Sequence, residues 1–225
     1  SLPFWISAIG ITAGIFFGKA VFGGFGKNVF NPAVVGRAFI YVNFPVPITI
    51  YWNEVANGEK LFSGLGGFTQ WLTPIIDGTS TATPLMLYRE TGEITNLLNL
   101  SLGNVPGSIG ETAKVLIIIG GLYLLYKKVA SWQIVVSQLI GFFVTSFLLI
   151  LVGVESVPNP IAGMLMGGFL FGAMFMSTDP ISAPKTVQGK WFYGLIIGAT
   201  VVIIRAFALF AGGMMFAILL GNVFS

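Results

Sequence analysis

Residues 134–154 run on without one charged side chain, and that run fixes the solvent in which this chain can fold. A helix crosses a hydrocarbon core with roughly 20 apolar residues, and about 17 can suffice. Residues 2–22, 161–176 and 191–210 meet or approach that length, and residues 115–126 form a shorter run expected to begin a few positions earlier. Two further stretches, 30–44 and 212–224, are too short for a full crossing and read as re-entrant or broken helices. Composition points the same way: 8% of residues are charged, 55% are hydrophobic, and 30 of 225 are glycine, the residue that lets membrane helices approach closely. The expected fold is all-α, a polytopic membrane helix bundle forming one transmembrane domain over residues 1–225. The first segment lacks the basic leader and cleavage site of a signal peptide and reads as a transmembrane helix.

Cysteine and histidine are both absent. The chain therefore has no thiolate ligands for zinc or iron-sulfur centres, no histidine ligand for haem, and no imidazole base. Any redox role must use an organic cofactor. The excess of basic residues is scattered, so it speaks of topology and not of nucleic acid. Lys19 and Lys27, Lys127 and Lys128, and Lys185 and Lys190 mark three loops, which the positive-inside rule assigns to the cytoplasm. Counting crossings from there puts residues 48–111 on the opposite face.

Several motifs could carry chemistry. Gly23-Gly24-Phe25-Gly26-Lys27-Asn28 precedes Asn31-Pro32, a helix start with a capping side chain and a preset φ. By composition this is a tight turn; as a site, its bare backbone would admit a flat ring beside a helix terminus. Asp77-Gly78-Thr79-Ser80-Thr81-Ala82-Thr83-Pro84 gathers hydroxyls beside a carboxylate, and by composition alone reads as a turn and a cap. Glu111 is placed as an acid favouring the dipole of the helix that follows. Asp179, in Ser177-Thr178-Asp179-Pro180, reads equally as a helix cap and as an ion ligand at a membrane boundary. Arg37 and Arg205, inside apolar segments, call for an acid, carbonyls or the headgroups as partners. Lys19-Ala20-Val21 echoes Arg205-Ala206-Phe207, and Gly36-Arg37-Ala38-Phe39 echoes Gly221-Asn222-Val223-Phe224, as an inverted or duplicated architecture with paired broken helices would.

The run from Val21 through Gly23-Gly24 and Asn31-Pro32 to Phe39 resembles the family formed by the flavin-carrying B-type subunit of the Na+-translocating NADH:quinone oxidoreductase and the D-type subunit of the Rnf-type ferredoxin:NAD oxidoreductase. The Asp77 to Leu85 motif, Gly103 to Glu111, the Thr-Asp-Pro block and Gly189 to Gly194 add matching blocks in the same order. The resemblance implies a bacterial inner-membrane subunit that relays electrons toward quinone with coupled Na+ movement, inactive without its partner subunits. It implies FMN joined to Thr83 by a phosphodiester, installed by a flavin transferase that recognises Asp77 and Ser80. Gly23 and Gly24 are quinone-proximal by the same resemblance, riboflavin is a second flavin, and Asp179 is a candidate cation contact. Ala20 stands where many sodium-pump members carry an acid, which leaves the Rnf-type branch as an alternative. Against the family's length the chain reads as a piece lacking amino-terminal helices and the end of the last segment. Without the resemblance, paired broken helices with glycine-rich entrances would suggest a solute channel or permease.

Overall fold

In the computed structural model, residues 2–45, 47, 83–108, 110–208 and 213–225 are described, and every regular element among them is helical. The helices, in chain order, are α1 (Phe4–Ile15), α2 (Pro32–Asn43), α3 (Pro84–Thr91), α4 (Leu97–Leu102), α5 (Lys114–Tyr126), α6 (Trp132–Leu151), α7 (Pro160–Leu165), α8 (Phe169–Phe171), α9 (Val187–Phe207) and α10 (Met214–Val223). A π turn continues α1 over Phe16–Ala20, and another continues α8 over Gly172–Met176.

Two helices, α6 with 20 residues and α9 with 21, are long and apolar enough to cross a membrane. They run side by side in the same direction: Trp132 meets Trp191 edge-on at 6.1 Å between ring centroids, and Phe142, further along α6, lies beneath the Arg205 guanidinium near the far end of α9. Glycines make the approach possible. A methyl added to Gly141 would lie 2.6 Å from the Leu195 carbonyl, and one on Gly198 would strike the Gln138 carbonyl, so the two backbones are in direct contact, as small residues permit. Helices α1 and α2 pack antiparallel by the same device, Gly14 and Gly36 facing each other across the seam. Outside, Phe4, Ile11, Phe16, Leu116, Ile119, Phe143, Phe147, Leu151, Phe192 and Phe207 are all exposed. That apolar coat far exceeds the scattered exposed side chains of a water-facing surface.

The two short stretches, 30–44 and 212–224, form short helices. α2 has 12 residues and α10 has 10, lengths of about 18 and 15 Å at 1.5 Å per residue. Residues 161–176, expected as one crossing, are instead broken. α7 stops after Leu165, Met166 is extended, Gly167 takes φ +64°, and only then does α8 begin. The left-handed conformation at Gly167 explains the break, since an L side chain there would be strained. The fold thus contains a broken element of the kind expected, at a position where a continuous crossing was expected.

The three lysine-bearing loops gather at one end. Lys127 and Lys128 precede α6, and Lys185 and Lys190 flank the start of α9. The loop carrying Lys27 is tied to the others through Asn31, whose side chain donates to the Met176 carbonyl at 3.0 Å and whose N–H donates to Asn222 Oδ1 at 3.4 Å. The echo between Lys19 and Arg205 does not coincide with matching structure: Lys19 sits in a π turn, whereas Arg205 sits in regular helix. Nor do Gly36-Arg37, in the second turn of α2, match Gly221-Asn222 at the end of α10. A different correspondence is present. Each π turn leads to the lysine end, passes into a loop, and is followed by a capped helix leaving that end, α2 with Asn31 as cap and α9 with Thr186 as cap. The two units have the same sense.

Candidate functional site

Thr83 starts α3. Its backbone is extended, its Oγ1 accepts from the Met86 N–H at 3.4 Å, and Pro84 follows at the first helical position, which is the arrangement a threonine cap and an N1 proline favour. The helix ends at Gly92 in the left-handed conformation. Two side chains one turn on clamp α3 to the bundle: Tyr88 donates from its hydroxyl to the carbonyls of Glu155 (3.2 Å) and Val157 (3.3 Å). Arg89 donates to the Arg205 carbonyl at 3.0 Å and to that of Ala208, closing the carboxyl end of α9. Thr83 is therefore held at the end of the bundle opposite the lysine loops, beside the ends of α6 and α9.

Behind Thr83 lies a cavity of about 510 Å³, within the range of roughly 300–1,000 Å³ usual for cofactor and small-molecule sites. Its apolar wall includes Leu85, Leu100, Val105, Leu165, Phe171, Met214 and Met215, while Arg37, Arg89, Glu111 and Arg205 supply charge. The loop of small residues before α5 contributes Pro106, Gly107 and Ser108.

The inner end of this cavity is the helix break. Arg205 Nη1 donates to the Gly163 carbonyl at 2.7 Å and Nη2 to that of Met166 at 3.2 Å. Lys114 donates to the Gly167 carbonyl at 2.7 Å and to the carbonyl of Glu111. Carbonyls freed where α7 stops thus find two cations, as buried backbone acceptors must find partners. The Arg205 guanidinium also lies over the Phe142 ring, 5.6 Å from its centroid, a cation–π arrangement. Glu111 reaches Arg37 Nη2 at 3.6 Å and packs over Gly168, where an added methyl would lie 3.1 Å from its carboxylate. The sequence assigned Glu111 to the dipole of the following helix; in the structure α5 begins at Lys114 with no acid in its first turn, and the carboxylate serves Arg37 instead. Both arginines have the partners their apolar setting demanded, an acid for Arg37 and carbonyls for Arg205.

The remaining sequence-derived residues lie elsewhere. Gly23 and Gly24, at φ +99° and +97°, form the turn at the lysine end and are not among the residues lining the cavity; among the described residues nothing lies within 4 Å of a methyl placed on Gly24. Asp179 is also at the lysine end, where its Oδ2 accepts from the Ser182 N–H (3.2 Å) and hydroxyl (2.7 Å). Nearby, Asn222 donates to the Ser182 carbonyl and the Tyr193 hydroxyl, both at 3.0 Å. Among the described residues no three of His, Cys, Asp and Glu cluster as a metal site. Asp77 and Ser80 lie outside the described residues. Sequence reasoning missed Lys114, Arg89 and Tyr88. Lys114, one residue ahead of an apolar run, was the legible one, since a lysine so placed must snorkel or find carbonyls.

Comparison with known proteins adds a second line. The NQR2, RnfD, RnfE family matches over residues 1–225. The B-type subunit of the Na(+)-translocating NADH-quinone reductase of Klebsiella pneumoniae (strain 342) is 39% identical over 232 aligned positions, covering 100% of this chain and 54% of that protein. The protein of the same name from Yersinia pestis is also 39% identical with the same coverage, and that of Haemophilus influenzae (strain PittEE) is 38% identical, again over 100% and 54%. The chain spans about half the length of the curated relatives it matches.

Proposed function

Since the chain belongs to the NQR2, RnfD, RnfE family, we propose that it is the flavin-bearing membrane portion of a redox-driven sodium pump, relaying electrons toward quinone while Na+ moves across a bacterial inner membrane. The observation that carries this reading is Thr83 itself. The one threonine that the family resemblance marks for FMN sits at the mouth of a cofactor-sized cavity, on a clamped helix terminus.

The residues present fit a covalent flavin. A phosphodiester on Thr83 Oγ1 would lie at the amino end of α3, where unpaired N–H groups favour an anion. The apolar wall of Leu85, Leu100, Leu165, Phe171 and the two methionines can exclude water from an aromatic ring, and the arginines can meet its polar atoms. Bound there, a flavin would accept one or two electrons and so join one-electron donors to a quinone. The chain's own share is to fix, enclose and orient: Thr83 anchors, Tyr88 and Arg89 keep α3 docked, and Arg205 with Lys114 keeps the floor of the cavity in place. Thr83 and the lysine loops lie at opposite ends, which supports an outer location for the attachment site, within reach of a flavin transferase recognising Asp77 and Ser80. In the same reading Gly23 and Gly24 are quinone-proximal, Asp179 is a cation contact, riboflavin is a second flavin, and the NADH site belongs to partner subunits. The names of the matched relatives favour the sodium pump over the Rnf-type complex.

The test is ultraviolet fluorescence of the denatured polypeptide in a gel, from cells that also make the transferase and partner subunits. Wild type is expected to fluoresce and Thr83→Ala to be dark. A dark wild type would sink the redox reading and favour a channel or permease.

A further inference from the structure

The inner end of the cavity carries unbalanced charge. Arg37, Lys114 and Arg205 contribute three positive charges and Glu111 one negative, a net of +2 among the described residues there; Arg89 and Glu90, on α3, cancel each other. Arg205 is only 6% exposed, and its Nε has no hydrogen-bond partner among the described residues. Such a group is costly, because a buried donor left unmade loses its hydration with nothing in return. The carbonyls of Gly163 and Met166 use only the two terminal nitrogens. Those carbonyls alone do not account for a full charge, since neutral donors would serve them.

Arg205 and Glu111 also bracket the same peptide. A methyl on Gly167 would lie 3.3 Å from Arg205 Nη2 and 3.8 Å from Glu111 Oε1. Both residues line the cavity, as does Arg37, so a ring held there meets the Arg205 charge and, across a bare glycine backbone, the Glu111 carboxylate with its Arg37 partner. Arg205, at 6% exposure, acts with far less screening than a charge at a surface.

We propose that Arg205 and Glu111 form an opposed pair that sets the reduction potential of the flavin bound in this cavity, Arg205 raising it and Glu111 lowering it. The inference rests on the flavin reading above. Reduction adds electrons, supplied by a one-electron carrier elsewhere in the complex, and so adds negative charge to the ring; the net positive enclosure favours that product. Charge placed near a flavin is a principal means by which a protein tunes it. Arg205 is in this sense a positioning and tuning residue: its two carbonyl contacts fix where its charge sits.

The experiment is an anaerobic dithionite titration of the purified, assembled complex, following flavin absorbance, with gel fluorescence of the same preparations reporting attachment at Thr83. Glu111→Gln, which keeps the backbone carbonyl bonded to Lys114, is expected to make reduction more favourable by about tenfold, or about 59 mV for a one-electron couple. Arg205→Gln is expected to shift the potential in the opposite sense by a similar factor, and Arg205→Lys to stay near wild type. Fluorescent variants whose potentials do not move, or that move in the same direction, would overturn the proposal. Should Arg205→Gln not assemble, the sign of the Glu111→Gln shift decides by itself, and a zero or negative shift overturns it. A non-fluorescent wild type would defeat the underlying flavin reading instead, which keeps the two failures apart.

Discussion

The two ends of the bundle each hold a polar cluster, and the clusters are built from different chemistry. At the lysine end, Asn31, Asn222, Ser182 and Tyr193 join three chain segments through neutral groups, the Asn222 carboxamide, the Tyr193 hydroxyl, the Ser182 carbonyl and the Asn31 N–H. At the cavity, Arg37, Glu111, Lys114 and Arg205 surround a broken helix with charge, and one buried nitrogen is left unpaired among the described residues. Neutral groups that satisfy one another rigidify a fold at modest cost. Charges in the same setting are expensive and are retained where something else needs them. The contrast separates a clasp from a candidate site.

The largest effect on folding is expected at the clasp. Asn222→Leu removes one acceptor and two donors at a residue that is 1% exposed, stranding the Asn31 N–H, the Ser182 carbonyl and the Tyr193 hydroxyl. Each stranded group costs about 1–3 kcal/mol, so the variant should lose several kcal/mol and fall well below wild type in thermal unfolding of the detergent-solubilised protein. Unfolding that stays within a degree or two of wild type would show that the Gly-rich loop and the Thr-Asp-Pro loop are held by something other than Asn222, and the distinction between the ends would collapse.

The break at the cavity should be less costly to disturb. Gly167→Ala puts a side chain into the left-handed region at φ +64°, a cost of about 1–2 kcal/mol, and brings a methyl to 3.3 Å from Arg205 Nη2. Thermal unfolding should fall by an intermediate amount. A neutral result would mean that the cations do not hold the break in one conformation.

How much of this was legible follows from what each signal reports. The apolar runs located α6 and α9 to within a few residues, because hydrophobic length is a one-dimensional property. Asn31-Pro32 announced the start of α2 for the equally local reason of capping. The interruption at Gly167 escaped, since Met166-Gly167-Gly168 is as apolar as a continuous crossing. The partners of those carbonyls are Arg205, 39 positions from Met166, and Lys114, 53 positions from Gly167. Glu111 was misplaced for the same reason: its partner, Arg37, is on another helix. Thr83 stands as the proposed flavin site through family resemblance and not through composition, which saw only a cap, and the cap is indeed what the hydroxyl makes in the structure.

The double role proposed for Thr83 gives a smaller, sharper test. Thr83→Val keeps the shape and removes the acceptor for the Met86 N–H, a change worth about 1 kcal/mol for a helix cap, while removing the hydroxyl that would carry the flavin. Thr83→Ser keeps both functions. The expectation is a dark band with nearly normal unfolding for valine and a cap-competent, wild-type-like unfolding midpoint for serine. A valine variant that still fluoresces would move the attachment to another hydroxyl.

The smallest effect belongs to Asp179, where the two ends could yet prove alike. Its carboxylate already accepts two hydrogen bonds from Ser182, and Asp179→Asn retains an acceptor oxygen for both while losing their charge assistance, so stability should change by less than about 1 kcal/mol. A cation contact has a stricter requirement, since an alkali ion is held by charge and the carboxamide has none. If Asp179 serves an ion as well as the turn, the variant complex should need several-fold more sodium for half-maximal quinone reduction with its unfolding almost unchanged. A sodium response identical to wild type would leave Asp179 as a turn residue, the helix that follows being capped by Thr186, and the lysine end as a clasp alone, with charge chemistry confined to the cavity behind Thr83.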